Sequence, residues 1–315
     1  MTDSTLDYAA YPHLVEAIVS YASLTALVSL RATCRALHAL VDARLFTHAQ
    51  LHDFPNTSDD WSSAVTYGLT LPLRSTIPHT SRMPHLPRAA AAVSTLDVCF
   101  ELVPPVVAKR FTSLRTLRRR LNCVAHFDDP FLRVETAVYF ITVPAQYIVV
   151  ARLPRSLDRL VLHIKHEGTG SPARGFRLVS NEHNIQQFEF VIWPSPRTPP
   201  AVWFFQAMFE TVDSGRANGT GSDFSITLAG LEKVYPSLWE GSPDLDHAAD
   251  AEGVKRAIRD CLHTALDLGH VTRSNQSAFI VDAICDRLRV LTLEEWQSEL
   301  GDRLELEGTW MEPGV

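Results

Sequence analysis

The chain has 315 residues, of which 46% are hydrophobic and 21% are charged. This balance is that of a folded globular protein and excludes a wholly disordered or low-complexity chain. The 36 acidic residues outnumber the 29 basic ones, and the resulting formal net charge of −7 argues against a general nucleic-acid-binding surface.

The cysteine pattern and the hydropathy of the chain indicate its cellular location. No CxxC pair occurs, so the sequence indicates neither a zinc site nor a disulfide framework. Residues 1–14 lack the basic and apolar segments of a signal peptide, and no stretch reaches the ~20 apolar residues of a membrane span. We therefore predict a cytoplasmic or nuclear protein with reduced thiols. The five cysteines are Cys34, Cys99, Cys123, Cys261 and Cys285.

Residues 11–46 contain three short helical patterns. The first begins at Pro12, a residue that the first turn of a helix tolerates. Ser23 is placed to cap the second helix. The apolar residues recur at helical spacing, and they include Leu14, Val15, Ile18, Val19, Leu24, Leu27, Leu30, Leu37 and Leu40. A unit of about 35 residues is too small to bury all of them, so some must pack on another domain or another protein.

The residues of this module resemble an F-box. The family pattern runs L-P-x-x-h-x-x-x-I, then L-x-x-L, then L-R-x-V-C-R, and the chain follows it from Tyr11-Pro12 through the segment LRATCR at 30–35. It departs at Tyr11, where leucine is usual, and at Thr33, where valine is common. Phe46 is the nearest equivalent of the tryptophan that the family carries near the end of the motif.

The resemblance implies a function in protein recruitment. Residues 8–50 would bind the Skp-type adaptor of a cullin–RING ubiquitin ligase, and the rest of the chain would select an unknown protein substrate. The residues expected in the adaptor contact are Pro12, Leu14, Ile18, Leu24, Leu27 and Leu30. Two other interpretations stay open: a helical hairpin that packs on its own domain, and a helix-turn-helix DNA reader, which the acidic chain disfavours.

The next segment, 51–92, is predicted to be a proline-rich linker with little regular structure. From residue 93, short β-branched and aromatic runs follow one another at intervals of 21, 22 and 21 residues; they are centred on Leu96, Leu117, Tyr139 and Leu160. This spacing resembles that of leucine-rich repeats. Later runs at 186–193 and 224–232 fall at larger intervals, so we expect 93–315 to form an α/β domain with repeat-like packing rather than a regular horseshoe.

Three helices are predicted in the second half of the chain. Two cover residues 200–213 and 247–268, and Thr292 with Glu295 forms the capping box of a third that ends at Leu300. Strands alternating with helices predict a partly parallel sheet with helices on at least one face. Segments such as 113–127 and 289–303 resemble those of fungal F-box-like proteins, in which a degenerate F-box precedes an α/β region.

The sequence carries no phosphate loop, dinucleotide-binding glycine pattern, nucleophile elbow or HExxH motif. His48 and His52 lack a nearby third ligand for a metal. Cys261, near His263 and His270, lies on the apolar stripe of its helix, which favours a buried structural thiol over a reactive one. We therefore predict a non-catalytic adaptor without metal or cofactor; the alternatives are an enzyme of unrecognised α/β type and a scaffold with a drifted F-box.

Charged runs give weaker indications. Asp128 and Asp129 are neighbours in sequence and point in different directions, so we expect solvated or capping carboxylates and not an acid/base pair. The most concentrated positive run consists of Arg115, Arg118, Arg119 and Arg120. It suits either an acidic or phosphorylated peptide or an ordinary charged surface of the sheet.

Overall fold

The computed structural model divides the chain into two compact units. The first comprises residues 1–100 and 104–117, and the second comprises 101–103 and 118–315. Within them the structure describes residues 11–33, 35–45, 47–54, 66–70, 90–98, 103, 105–121, 127–143, 150–166, 177–179, 185–195, 201–215, 223–235, 251–267 and 277–308.

The first unit contains the three predicted helices. They are α1 (Pro12–Tyr21), α2 (Leu24–Arg31) and α3 (Arg35–Leu45). The predicted N-cap is confirmed, because the Ser23 side chain accepts a hydrogen bond of 3.3 Å from the Ala26 amide. Arg31 donates to Asp42 through Nε at 2.5 Å, a charged contact that ties α2 to α3.

The same unit holds three strands and a helical turn. These elements are β1 (His48–Phe54), β2 (Thr66–Thr70), β3 (Thr95–Val98) and α4 (Pro105–Ala108). Strand β1 pairs parallel with β3 and antiparallel with β2. Much of β1 and all of β2 lie in the segment predicted as a linker, so the expectation of little regular structure is wrong there. All five prolines of 51–92 lie outside the described residues.

The second unit confirms the α/β class. Its strands are β4 (Thr116–Leu121, which begins in the first unit), β5 (Phe127–Asp128), β6 (Thr136–Val143), β7 (Val150–Arg152), β8 (Arg159–His166), β9 (Arg177–Val179), β10 (Gln187–Ile192), β11 (Ser225–Ala229) and β12 (Leu288–Leu291). In its main sheet, β6, β8, β10, β11 and β12 pair in parallel with one another in this order. Its helices are α5 (Ala201–Gly215), α6 (Leu231–Val234), α7 (Ala251–Asp267), α8 (Ser277–Asp286), α9 (Leu293–Leu300) and α10 (Leu304–Glu307).

The strands of the second unit alternate between two sheets. The main sheet has the order β12-β11-β10-β8-β6-β4, and the short strands β5, β7 and β9 form a separate parallel sheet. Each of β4, β6 and β8 is therefore followed along the chain by one short strand of the other sheet. The predicted runs near Leu96, Leu117, Tyr139 and Leu160 all coincide with strands, whereas the short strands were not predicted.

A repeated backbone contact marks successive strands. The carbonyl of the residue just before a strand accepts hydrogen bonds from two consecutive amides at the start of a later strand. Thr47 accepts from Ser94 and Thr95, and Ser94 accepts from Arg115 and Thr116. In the second unit Glu135 accepts from residues 158 and 159, and Asp158 accepts from residues 186 and 187, all at 2.9–3.0 Å. The same turn geometry thus recurs although the connecting segments differ in length.

Both faces of the central strands are buried. Leu160, Leu162 and Ile164 lie on one face, as predicted, but Val161 and His163 on the other face are buried as well. Parallel strands are commonly covered on both sides. Here α9 covers the second face, and its Leu293, Trp296 and Leu300 pack in one cluster with Val138, Phe140, Val161, Val191, Ala229 and Leu291.

A capping box begins the covering helix, and a glycine turn follows β11. Thr292 caps α9, accepting from the Glu295 amide at 3.1 Å, while the Glu295 carboxylate accepts from the Thr292 amide at 2.8 Å. The predicted capping box is confirmed. Upstream, Gly230 has φ +80°, and a Cβ there would lie 2.2 Å from the Ile192 carbonyl oxygen, so only glycine fits the turn after β11.

Candidate functional site

Four large apolar side chains form an exposed line along α1 and its N-cap residue, which we call the α1 stripe. It consists of Tyr11, Leu14, Ile18 and Tyr21, which are 52%, 47%, 50% and 92% exposed. Their spacing of three, four and three residues keeps them on one side of a helix. A helix that presents such a line to solvent has the form that fits a groove on another protein.

An adjacent face of α1, about 100° around the helix axis from Leu14 and Ile18, anchors the helix. Val15 and Val19 are only 4% and 3% exposed. Because the buried side chains lie between the positions of the stripe, α1 is held by one face while the other remains available. The exposed line is therefore separate from the residues that hold the helix in its unit.

The residues predicted for the adaptor contact do not all share this surface. Pro12, Leu14 and Ile18 are exposed on α1. Leu27 is buried and Leu30 is half-buried, so neither belongs to the α1 stripe. The side chain of Leu24 lies outside the described residues. Tyr21 was not predicted, although its position three residues after Ile18 continues the same helical line.

A second candidate is a buried polar group on the face of the main sheet that α9 covers. Arg159 at the start of β8 lies between two carboxylates: its Nε donates to Glu189 at 2.7 Å, and its Nη1 lies 2.7 Å from Oε2 of Glu307. Trp296 of α9 donates to the other oxygen of Glu189 at 2.9 Å. We call these four residues the Arg159 cluster. Burial alone lowers the pKa of Arg159, but the two carboxylates outweigh it and raise that pKa above its usual value.

His163 is fully buried beside this cluster. Its Nδ1 accepts a 2.8 Å hydrogen bond from the Trp193 indole, and its ring stacks on Phe140 with centroids 4.5 Å apart. An indole N–H can only donate, so the ring is neutral, with its proton on Nε2. Burial, together with the positive charges of Arg118 and Arg159, lowers the pKa of His163 to about 3. Such a group is a structural hydrogen-bond acceptor at neutral pH.

The arginine run does not form one patch. Alternation along β4 sends Arg118 and Arg119 to opposite faces of the sheet. The Arg118 guanidinium lies 5.5 Å from the Phe140 ring centroid, on the face that carries His163. Arg119 is buried in an ion pair with Asp129, whose side chain is also buried. The expectation that Asp129 is solvated is therefore wrong, because the carboxylate neutralises a buried guanidinium.

The histidine and cysteine candidates have ordinary structural contacts. His48 lies on a strand, and its Nε2 is 3.0 Å from Asp97; the side chain of His52 and all of His270 lie outside the described residues. Cys261 is half-buried and not fully buried as expected, and burial raises the pKa of its thiol. Within the described ranges no cluster of three or more metal-ligating side chains occurs.

Comparison of the chain with family models, with curated proteins and with solved structures gave no match. The candidate sites are therefore defined by their own geometry. Among the helices that the structure describes, none is long and apolar enough to cross a membrane.

Proposed function

We propose that the chain is a substrate-receptor subunit of a cullin–RING ubiquitin ligase. In this proposal α1 binds a Skp-type adaptor, and the second unit binds a protein substrate. The observation that carries the proposal is the α1 stripe, which occurs in a segment whose sequence resembles an F-box. The proposal includes a cytoplasmic or nuclear location, because the scattered cysteines suit a reducing compartment.

The α1 stripe has the chemistry of a protein contact. Leu14 and Ile18 supply aliphatic area at its centre, and Tyr11 and Tyr21 flank them with rings that carry a polar hydroxyl. Burial of apolar surface contributes about 25 cal/mol per Å². Tyrosines are also frequent among the residues that dominate binding energy in interfaces.

The exposure of the α1 stripe distinguishes a partner-binding module from a scaffold with a drifted F-box. A scaffold with a drifted F-box would bury Leu14, Ile18 and Leu27 against its own C-terminal domain. Leu27 is buried, whereas Leu14 and Ile18 on α1 are about half exposed, and their exposure favours a role of α1 in binding another protein.

For the second unit we propose leucine-rich-repeat-like packing that presents a rigid surface to the substrate. The support is the alternation of a main-sheet strand with a short outer strand, together with the recurring backbone contact before successive strands. The physical mechanism is proximity: two binding surfaces on one chain raise the effective concentration of the substrate at the ligase. No metal or cofactor enters this mechanism.

Co-purification with a fungal Skp-type adaptor tests the proposal. The full chain is compared with the double variant Leu14→Asp/Ile18→Asp, in which two carboxylates interrupt the α1 stripe. We expect the wild type to retain the adaptor and the double variant to lose at least about 90% of it, since buried unpaired charges oppose binding.

The matched control is Val106→Asp, which places a carboxylate on another exposed apolar residue of the same unit. It should retain the adaptor at the wild-type level. Circular dichroism checks that all three proteins fold. Equal recovery of the adaptor by wild type and double variant, or no recovery by any of them, would reject the proposal.

A further inference from the structure

Residues 301–308, which we call the tail segment, place the Glu307 carboxylate against Arg159, on the face of the main sheet that α9 covers. Gly301, Asp302, Arg303 and Leu304 are exposed, whereas Glu307 is buried. The Glu307 and Arg159 side chains that meet at 2.7 Å are only 5% and 9% exposed. The segment therefore reaches from solvent into the sheet with one charged side chain at its inner end.

The two carboxylates on Arg159 differ in how they are held. Glu189 belongs to β10, the strand hydrogen-bonded to β8, and it also accepts from Trp296. It stays beside Arg159 as long as the sheet exists. Glu307 belongs to a short segment after α9, so it can leave without breaking a strand pairing. Arg159 would then keep its ion pair with Glu189, and its Nη1 would become available to another carboxylate.

The other contacts that the structure describes for the tail segment are of three kinds: its own short helical turns, packing of Leu300 and Leu304 against Gly308, and a few hydrogen bonds. The segment comprises one 3-10 turn and the four-residue helix α10, and helices this short have little stability of their own. Gln297 donates to the Gly308 carbonyl at 3.0 Å, and the exposed Arg303 lies 3.6 Å from Glu307. Leu304 is 39% exposed. The buried pair with Arg159 is thus the charged anchor of the segment, beside a hydrogen bond between His163 and the Glu307 backbone.

We propose that the sheet surface around Arg159 is a binding site for a short acidic segment of a partner protein, which the tail segment occupies in cis. The tail segment shows the chemistry that a partner would need. It places a glutamate side chain on a buried guanidinium, and it carries that glutamate on a peptide that forms one helical turn. Displacement of the tail segment exchanges one carboxylate for another and leaves no buried charge unpaired. This inference does not depend on adaptor binding by α1.

Competition between the segment in cis and the same peptide in trans tests the proposal. The probe is a fluorescein-labelled peptide of residues 301–308, titrated by anisotropy against the full chain. A tethered segment acts at an effective concentration of about millimolar, so the wild-type chain should bind the peptide weakly. Glu307→Gln in the full chain weakens the competitor, and we expect it to bind the peptide at least about tenfold more tightly than wild type.

Glu299→Gln is the matched control, because it makes the same change on α9 in an exposed pair with Arg289; it should bind as the wild type does. A peptide that carries Glu307→Gln should bind none of the chains. Leu304→Ser in the full chain loosens the tail segment without touching the ion pair, and it provides a second chain if Glu307→Gln does not fold. If all folded chains bind the peptide with equal affinity, or if none binds it, the tail segment is a fixed part of the fold and the proposal is overturned.

Discussion

A single histidine illustrates how burial decides chemistry at the residue scale. In isolation a histidine titrates near pH 6.5. His163 is fully buried and lies near two guanidinium groups, Arg118 and Arg159, which lower its pKa, while a hydrogen bond that the Glu307 backbone accepts from the ring acts in the opposite direction. The folded state therefore keeps the ring neutral far below the pH at which the unfolded chain takes up a proton.

This difference predicts a pH-dependent stability. The folded-state pKa of about 3 is below the unfolded value of 6.5, so the stability that neutral His163 contributes is fully present above about pH 6.5. It is lost as the pH falls toward 3, by at most about 1.4 kcal/mol per pH unit. The variant His163→Asn keeps an acceptor for Trp193 but has no titrating group. Urea unfolding from pH 7 to pH 4 should give a steeper loss for wild type than for the variant, and parallel profiles would contradict the assignment.

The arginine run shows what local sequence cannot provide at this scale. Strand alternation predicts that Arg118 and Arg119 face opposite sides, and the structure has them so. The partner of Arg119 is Asp129, ten residues away across a connection, and nothing in the run itself identifies it. Similarly, Glu307 and Arg159 are 148 positions apart in sequence, so their contact depends on the complete fold.

At the scale of elements, strong local signals were predictive and weak ones were not. The Ser23 cap, the Thr292–Glu295 capping box and the long apolar strands were all found from the sequence. The strands β5, β7 and β9 have only two or three residues each, too few to show a period of two. The helix α8 was also missed, and β1 was concealed by the prolines that follow it.

Helix α1 gives a prediction at the same scale, because neighbouring residues on it have opposite environments. Val19 is 3% exposed and Ile18 is 50% exposed. Val19→Ala should lower the free energy of unfolding by about 1–3 kcal/mol, since it leaves a cavity. Ile18→Ala should change it by less than about 0.5 kcal/mol. Urea unfolding of the two variants measures the difference, and an equal cost would mean that the α1 stripe is buried.

At the scale of the whole molecule, the sequence predicted the class and the strand spacing better than the division of the chain. The predicted boundary at residue 93 separates β1 from β3, yet these strands pair with each other, and the first unit extends to Leu117. Parallel pairing joins segments that are far apart in sequence, so composition alone places such a boundary poorly. Exposure in the helical segment was also predicted only in part: Leu14 and Ile18 are exposed as expected, whereas packing buries Leu27.

The central claim is that α1 binds a Skp-type adaptor while the sheet of the second unit remains available for another partner. Hydrogen–deuterium exchange of the full chain, measured with and without a saturating concentration of the adaptor, tests it most directly. We predict slowed exchange in residues 11–21 and unchanged exchange in residues 136–143 and 159–166. Unchanged exchange throughout α1, or slowing in those strands in place of α1, would contradict the claim.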